Sequence, residues 1–345
     1  MTAGNAATPV STTRLVSPVL ITMLVLSAIG AWNLWQDNAG IAATLGTTTL
    51  VILGAWILYG AIAVLIVVAL QRFARRPAWS VVVALLWGGS AVFWVASVSG
   101  LAMSTIFVRT IGSDPHAFTS TPVIEEVSKA LGVLGLLLIP VLRRFRTLDG
   151  LFYGVLVGAA FQVIEDAFYT LTLVFNDPGN AEGTIVATLV LRGFTIGLFT
   201  HAVFTGIVVA AIGWAASGPA GSGLRRGVGA VVVLVAMILV HGTFNAQDDL
   251  TIISAGAALI PFIVLLIVMW QARRGEVAHL AEAAAAANGW DVLDEPSRAL
   301  IDGPRPSDGA VRRTRGGVRR FAWAADHIGP ESSQARRAAA ALQDG

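Results

Sequence analysis

Residues 47–70 read TTTLVILGAWILYGAIAVLIVVAL and contain no charged side chain. An α-helix rises about 1.5 Å per residue, so about 20 apolar residues cross the hydrocarbon core of a bilayer. This segment is therefore predicted to be a transmembrane helix. The rest of the chain agrees with it, because 55% of the 345 residues are hydrophobic and 13% are charged. A soluble domain has about 25% charged residues, so the composition excludes a soluble globular protein.

Further apolar runs on both sides of this segment predict an all-α, polytopic transmembrane bundle. We predict about eight spans, at residues 17–35, 47–70, 78–106, 122–142, 149–175, 187–216, 227–245 and 250–270. They divide the chain into a cytoplasmic N-terminal segment (1–16), a transmembrane domain (17–270) and a cytoplasmic, basic, partly disordered tail (271–345). Cysteine is absent, which excludes disulfides, thiolate metal sites and a cysteine nucleophile.

Arginines in the loops predict the orientation of the bundle. They cluster in alternate loops, as Arg72, Arg75 and Arg76; Arg143, Arg144 and Arg146; Arg225 and Arg226; Arg273 and Arg274. Loops rich in Lys and Arg stay in the cytoplasm. Eight spans in the cell membrane, with both termini cytoplasmic, satisfy every loop at once.

Several ionisable residues fall inside the predicted spans, where each costs about 2.5–3.5 kcal/mol at the bilayer centre. They are Glu125, Glu126, Lys129, Glu165, Asp166, His201 and His241. Lys129 is the only lysine in the chain, which favours a need for a compact ammonium at this position. Arg192, near the start of the sixth span, is interpreted as an interfacial side chain.

The spacing of these residues groups them on helices. Thr121 is predicted to cap the fourth span, with Pro122 as its first helical residue. Glu125 and Lys129 are four residues apart and share a helix face, whereas Glu126 lies about 100° round the helix. For these acids the pattern also allows a simpler interpretation, that they complement the helix dipole and neutralise Lys129.

Two histidines each have a polar residue four positions later, namely His201 with Thr205 and His241 with Asn245. The predicted orientation places Glu125, Glu165 and both histidines in the outer half of the membrane. One cavity can therefore contain all four side chains.

This set of residues is suited to peptide hydrolysis. A buried glutamate can act as a general base, and we favour Glu125 because it shares a face with Lys129. Imidazoles can stabilise an oxyanion or bind a metal, and Asn245 can donate a further hydrogen bond. Two histidines with one or two glutamates also suit an open zinc site. The residues leave open whether a metal or a glutamate-activated water is used.

The motifs Glu125-Glu126-x-x-Lys129, Phe161-x-x-x-Glu165, His201 and His241-x-x-x-Asn245 resemble those of the PrsW-type intramembrane proteases. That family is related to the CAAX prenyl endopeptidase and bacteriocin-processing superfamily. The resemblance covers residues 120–246 and implies site-1-like cleavage of a membrane-anchored substrate, such as an anti-sigma factor. It implies a catalytic set of Glu125, Glu126, Lys129, Glu165, His201, His241 and Asn245. If a metal such as Zn²⁺ is used, its expected ligands are Glu165, His201 and His241.

Two other functions remain open at this stage. Buried acids and histidines also occur in proton- or ion-coupled transporters and channels, although repeated halves are not evident here. In a non-catalytic signalling scaffold, the same polar residues would only hold helices together. The expected partners are a membrane-anchored protein substrate and the lipid bilayer, with no nucleic acid.

Overall fold

The computed structural model describes residues 17–69, 76–139, 145–195, 200–218, 221–246 and 252–286, with side chains up to residue 274. Within these residues every regular element is helical. The α-helices are α1 (Pro18–Leu45), α2 (Thr47–Ala69), α3 (Ala78–Leu86), α4 (Phe93–Ile111), α5 (Ser120–Leu137), α6 (Thr147–Asn176), α7 (Ala181–Thr188), α8 (His201–Ala216), α9 (Gly223–Asn245) and α10 (Ile252–Ala286). Two π-helical turns, Trp87–Val92 and Leu189–Thr195, follow α3 and α7.

The described residues contain six helices that are long and apolar enough to cross a membrane. These are α1, α2, the continuous run Ala78–Ile111, α6, α9 and the first part of α10. Two predicted spans fall outside this set for physical reasons. α5 carries three charged residues in 18, and the sixth span is divided between α7, a π-turn and the short α8. The chain is therefore a multi-pass helical protein, and eight spans stay a prediction.

The predicted boundaries of the transmembrane domain, at residues 17 and 270, stay predictions. α10 continues without interruption past residue 270 to Ala286, so the expected tail begins inside a helix. The rest of that tail and the segment 1–16 lie outside the described residues.

α6 is the central helix of the bundle. In its most apolar stretch 61% of the residues are buried, against 11–39% in the other five candidate spans. Three glycines at four-residue spacing, Gly150, Gly154 and Gly158, form one face of α6. A Cβ at any of them would overlap the backbone of α8. Small residues at this spacing let two helices approach closely in a membrane, and here they bring α8 against α6.

The π-turn after α3 packs α5 against the same central helix. Gly88 contacts the backbone of Val157 in α6. The indole of Trp87 donates a hydrogen bond to the carbonyl oxygen of Ser128, at 2.9 Å. Ser128 directly precedes Lys129, so this contact holds α5 at the level of its charged residues.

α5 begins two residues earlier than the sequence predicted. Its first residue is Ser120, with Thr119 as the N-cap, so Thr121 is not the cap and Pro122 is the third helical residue. Proline is still accommodated, because the first four N–H groups of a helix have no intrahelical partner. The shift leaves the relative spacing of the acids and Lys129 unchanged.

Candidate functional site

The side chain of Lys129 lies at the centre of a buried polar cluster. Its Nζ is 3.1 Å from Glu125 Oε2 and 3.0 Å from Glu126 Oε1. All three side chains are at most 3% exposed. One ammonium therefore bridges both acids, and Glu126, which the spacing placed off the line of Lys129, is drawn in as closely as Glu125.

His201 connects this cluster to α6. Its Nδ1 is 3.0 Å from Lys129 Nζ, and its Nε2 is 3.0 Å from Glu165 Oε2. An ammonium can only donate, so Nδ1 accepts from Lys129 and the ring proton is on Nε2, where it is donated to Glu165. Glu165 therefore determines the tautomer of His201 and leaves the Nδ1 lone pair on the side of the cluster, where it accepts a hydrogen bond from Lys129.

His241 approaches the cluster from α9. Its Nδ1 is 3.2 Å from Glu126 Oε1, and its Nε2 is 3.9 Å from Glu125 Oε2. The short distance to Glu126 is not a hydrogen bond, since Nδ1 has no aligned partner among the described residues. Two ligand-type atoms that are close but not directed at each other are expected where both are directed at a shared cation.

The donor set fits a divalent metal. Glu125, Glu126, His201 and His241 are all buried, and each offers a ligand atom within 4.8 Å of the others. Zinc bonds to nitrogen and oxygen are about 2.0–2.2 Å long, so tetrahedral ligands lie about 3.4 Å apart. Lys129 Nζ contacts three of these four residues, so an ion held by all four would have to displace the ammonium.

The charges of the wider network fit the same conclusion. Four carboxylates, those of Glu125, Glu126, Glu165 and Asp166, face two permanent cations, Lys129 and Arg192. If all four acids are ionised and both imidazoles are neutral, the acids outnumber these cations by two. A divalent cation would balance that excess, as would protonation of two of the acids or imidazoles.

Aromatic and hydroxyl groups enclose the cluster. The ring of Phe161 lies 4.0 Å from Lys129 Nζ and stands edge-on to His201 at 4.9 Å between centroids. Thr205, one helical turn after His201, donates to Glu126 Oε2 at 3.2 Å. Phe161, the phenylalanine of the Phe-x-x-x-Glu motif, therefore packs against the ammonium of Lys129. Phe161 and Thr205 together restrict the rotamers of the cluster side chains that they contact.

A cavity of about 330 Å³ lies beside the cluster, between α4 and α6. Glu125 and Glu165 line it, whereas Glu126 does not. Its aromatic wall includes Phe93 and Phe168, whose rings stack at 5.2 Å. Leu101 in α4 and Tyr169 in α6 line the cavity and are at least half exposed. The cavity is thus open to the surface of the bundle at the two helices that flank it.

The family profile of the PrsW family intramembrane metalloproteases matches residues 76–271, which is more than half of the chain. The chain belongs to this family. No curated protein and no solved structure matches it. PrsW-family membership makes the chain a membrane protease of the metallo type, in preference to the transporter and the scaffold. The matched segment extends from Arg76, before α3, into α10, which is further than the region 120–246 on which the sequence resemblance depended.

Most of the sequence-predicted site residues lie together in the structure. Glu125, Glu126, Lys129, His201 and His241 form the cluster, and Glu165 contacts it through His201. Asn245 lies apart from it. This residue is half-buried, and its side chain donates to the carbonyl oxygen of Ala117 in the α4–α5 loop, at 3.0 Å.

Sequence reasoning missed two features of this PrsW-family site. The glycines of α6 were not singled out, although their four-residue spacing is visible in the sequence. Arg192 was interpreted only as an interfacial side chain, which stays a prediction, and its guanidinium contacts Glu165 and Asp166. Nothing in the local sequence around Arg192 indicates these partners, because they lie 27 and 26 residues earlier.

Proposed function

We propose that this PrsW-family protein is an endopeptidase that cuts a membrane-anchored substrate inside the membrane, in a site-1-like step. The observation that carries the proposal is the convergence of two glutamates and two histidines, all buried, beside a cavity open at the bundle surface. An anti-sigma factor is the substrate type that the family resemblance suggests.

We infer that zinc is the metal, held by Glu126, His201 and His241. Imidazole and carboxylate are zinc ligands in open catalytic sites, and these three residues leave Glu125 free to face the cavity. Glu165 is better suited to supporting His201, because it accepts the hydrogen bond from Nε2–H. This reassigns Glu165 from the metal set expected from the family resemblance. When bound, zinc supplies a Lewis acid for the carbonyl of the scissile peptide bond.

In this proposal Glu125 is the general base. Its side chain lines the cavity, so it can reach a water molecule beside a bound peptide. It takes a proton from that water as the water attacks the carbonyl carbon, and it then delivers the proton to the leaving amine. Lys129 holds Glu125 in place through the 3.1 Å contact. Asn245 acts indirectly, by attaching the end of α9 to the α4–α5 loop.

The cavity is the proposed binding site for the residues next to the scissile bond. It is open at exposed side chains of α4 and α6, both of which are in candidate membrane spans. A substrate in the bilayer can therefore reach it from the side. A helix with side chains is about 10–12 Å wide, so a cavity of about 330 Å³ accommodates only a short extended segment.

Cleavage of single-span membrane proteins by the purified protein tests this function. Wild-type protein in detergent or bilayer discs is expected to produce a cut fragment, with the cut inside or beside the transmembrane segment. Removing metal with a chelator should stop cleavage, and adding Zn²⁺ should restore it. Cleavage that persists at full rate after the bound metal is removed and checked by elemental analysis would contradict the metal assignment.

The orientation gives a separate prediction. We propose that both termini are cytoplasmic, on the basis of the alternating basic loops. Reporter domains fused after Gly46, which ends α1 with a φ of 55°, and after residue 275 should report opposite sides of the membrane. Finding both reporters on the same side would contradict the proposed topology.

A further inference from the structure

Arg192 is a permanent cation in the π-turn between α7 and α8, within a stretch of mostly exposed apolar residues. Its side chain is 38% exposed, and its neighbours Leu191 and Phe194 are more exposed. A permanent cation among the apolar residues of a membrane protein carries a desolvation cost unless it is paired. Such residues usually mark functional sites, so the contacts of Arg192 are informative.

The guanidinium of Arg192 bridges two consecutive carboxylates of α6. Its Nη2 is 3.2 Å from Glu165 Oε2, and its Nε is 2.5 Å from Asp166 Oδ1. The carbon at the centre of the guanidinium lies 4.2 Å from the ring centroid of Tyr169, one turn further along α6. Three residues on one side of α6 therefore hold the planar group in one orientation.

The oxygen of Glu165 that Arg192 contacts is also the oxygen that binds His201. Glu165 Oε2 is 3.2 Å from Arg192 Nη2 and 3.0 Å from His201 Nε2. A continuous chain of polar contacts therefore runs from Arg192 through Glu165 to His201. Asp166 is 1% exposed and accepts from a second N–H group of the guanidinium, Nε–H, which restricts rotation of the guanidinium away from Glu165.

The backbone at Arg192 is held in place by other helices. Gln162 in α6 donates to the carbonyl oxygen of Arg192 at 3.2 Å, and Tyr59 in α2 donates to that of Gly193 at 2.9 Å. π-Helical turns are frequent at functional sites. Here side chains from α2 and α6 hold the backbone of the turn. The Cα of Arg192 is therefore held in place as well as its guanidinium.

We propose that Arg192 is a positioning residue for the metal centre, acting through Glu165 on His201. By holding Glu165 Oε2 against His201 Nε2–H, it keeps the Nδ1 lone pair directed at the cluster. The geometry uses two separate N–H groups of a planar guanidinium that also lies over the Tyr169 ring, and a lysine ammonium does not reproduce this combination. The inference depends on the proposed function, because it assumes that His201 is a ligand.

The test compares full-length wild type, Arg192→Gln and Arg192→Lys. Each is measured for equilibrium Zn²⁺ affinity, by competition with a chromophoric chelator, and for kcat and KM. Mutation of a residue that orients a metal-bound histidine typically lowers metal affinity or enzyme activity by about 10–100-fold. We expect Arg192→Gln to weaken Zn²⁺ binding and lower kcat by about 10–100-fold, with KM within twofold of wild type. In Arg192→Lys, more than half of the loss in Zn²⁺ affinity and in kcat seen for Arg192→Gln, measured on a logarithmic scale, should remain.

Arg226→Gln is the matched control. Arg226 also stacks on an aromatic ring, that of Trp214 at 4.4 Å, but it does not contact the cluster carboxylates in the described contacts. It should bind Zn²⁺ and cleave as wild type does.

Each other outcome decides against a specific statement. Wild-type Zn²⁺ affinity and kcat in Arg192→Gln would overturn the inference, and full recovery by Arg192→Lys would show that charge alone matters and overturn it as well. If Arg192→Gln does not fold, a wild-type result for a folded Arg192→Lys overturns it. A wild type that neither binds Zn²⁺ nor cleaves would contradict the proposed function itself, and the inference would be rejected with it.

Discussion

Replacing Glu125 by Gln is expected to reduce the cleavage rate by about 10²–10⁴-fold, the usual effect of losing a general base. Gln has nearly the same shape but cannot accept a proton from water. The side chain is 3% exposed and lines the cavity, so it can both reach a substrate and remain shielded from bulk water. The measurement is initial cleavage rate per membrane-inserted protein, quantified on the same gel.

Three companion variants show whether the effect belongs to Glu125. Glu182→Gln changes an exposed acid in the first turn of α7 and should leave the rate unchanged. Glu126→Gln should also reduce the rate, but with a loss of Zn²⁺ affinity that Glu125→Gln does not share. Lys129→Arg should be partly impaired, because a larger planar group must replace a fully buried ammonium with three partners.

The outcomes separate two assignments. Full cleavage by Glu125→Gln together with an inactive Glu126→Gln that still binds Zn²⁺ would reverse the roles of the two acids. Full cleavage by both variants would show that neither Glu125 nor Glu126 is needed for hydrolysis and would reject the proposed mechanism.

The second large effect is expected at Gly158, a residue of the α6–α8 contact that has no side chain to take part in the chemistry. An added Cβ there would overlap the backbone carbonyl of His201 and the Cα of Ala202. Because these neighbours are backbone atoms, no side-chain rotation relieves the overlap, and α8 must move away from α6. A displacement of about 1 Å in a catalytic group can reduce activity by about 10²-fold. We therefore expect Gly158→Ala to be cleavage-deficient by about that factor.

Gly54→Ala is the control for this prediction. Gly54 is also in a candidate membrane span, in α2, but a Cβ there has no atom within 4 Å. Both variants are compared for cleavage rate, Zn²⁺ affinity and thermal unfolding midpoint. A wild-type rate for Gly158→Ala would show that α8 does not depend on the close approach at this glycine.

The sequence determined the class of the protein and the residues that carry its chemistry. Long apolar runs predict helices because the cost of exposing backbone polar groups in lipid is local and independent of the neighbours. Ionisable residues within those runs are conspicuous for the same reason. The motifs on α5, α6, α8 and α9 therefore identified the cluster and the family before any geometry was known. The number of spans was less well determined, because α5 contains charged residues and the sixth span is broken. Neither is a long, uninterrupted apolar run.

Only the tertiary structure decided which atoms meet. The spacing of α5 favoured Glu125 over Glu126 as the partner of Lys129, yet the ammonium bridges both, because its long flexible chain reaches either acid. Asn245 follows His241 by one turn but binds the α4–α5 loop, since the helix end at which it lies is beyond the cluster. These contacts depend on how helices cross, which no single helix encodes.

Arg192 shows this division most clearly. Its sequence neighbourhood is that of an interfacial arginine. Its partners, Glu165 and Asp166, lie on another helix, α6. The approach of α8 to α6 depends in turn on Gly150, Gly154 and Gly158, which have no side chains to signal a function. Helix formation and charge burial follow from local composition. The pairing of Arg192 with Glu165, and of Glu165 with His201, follows from backbone packing between segments that are distant in the chain.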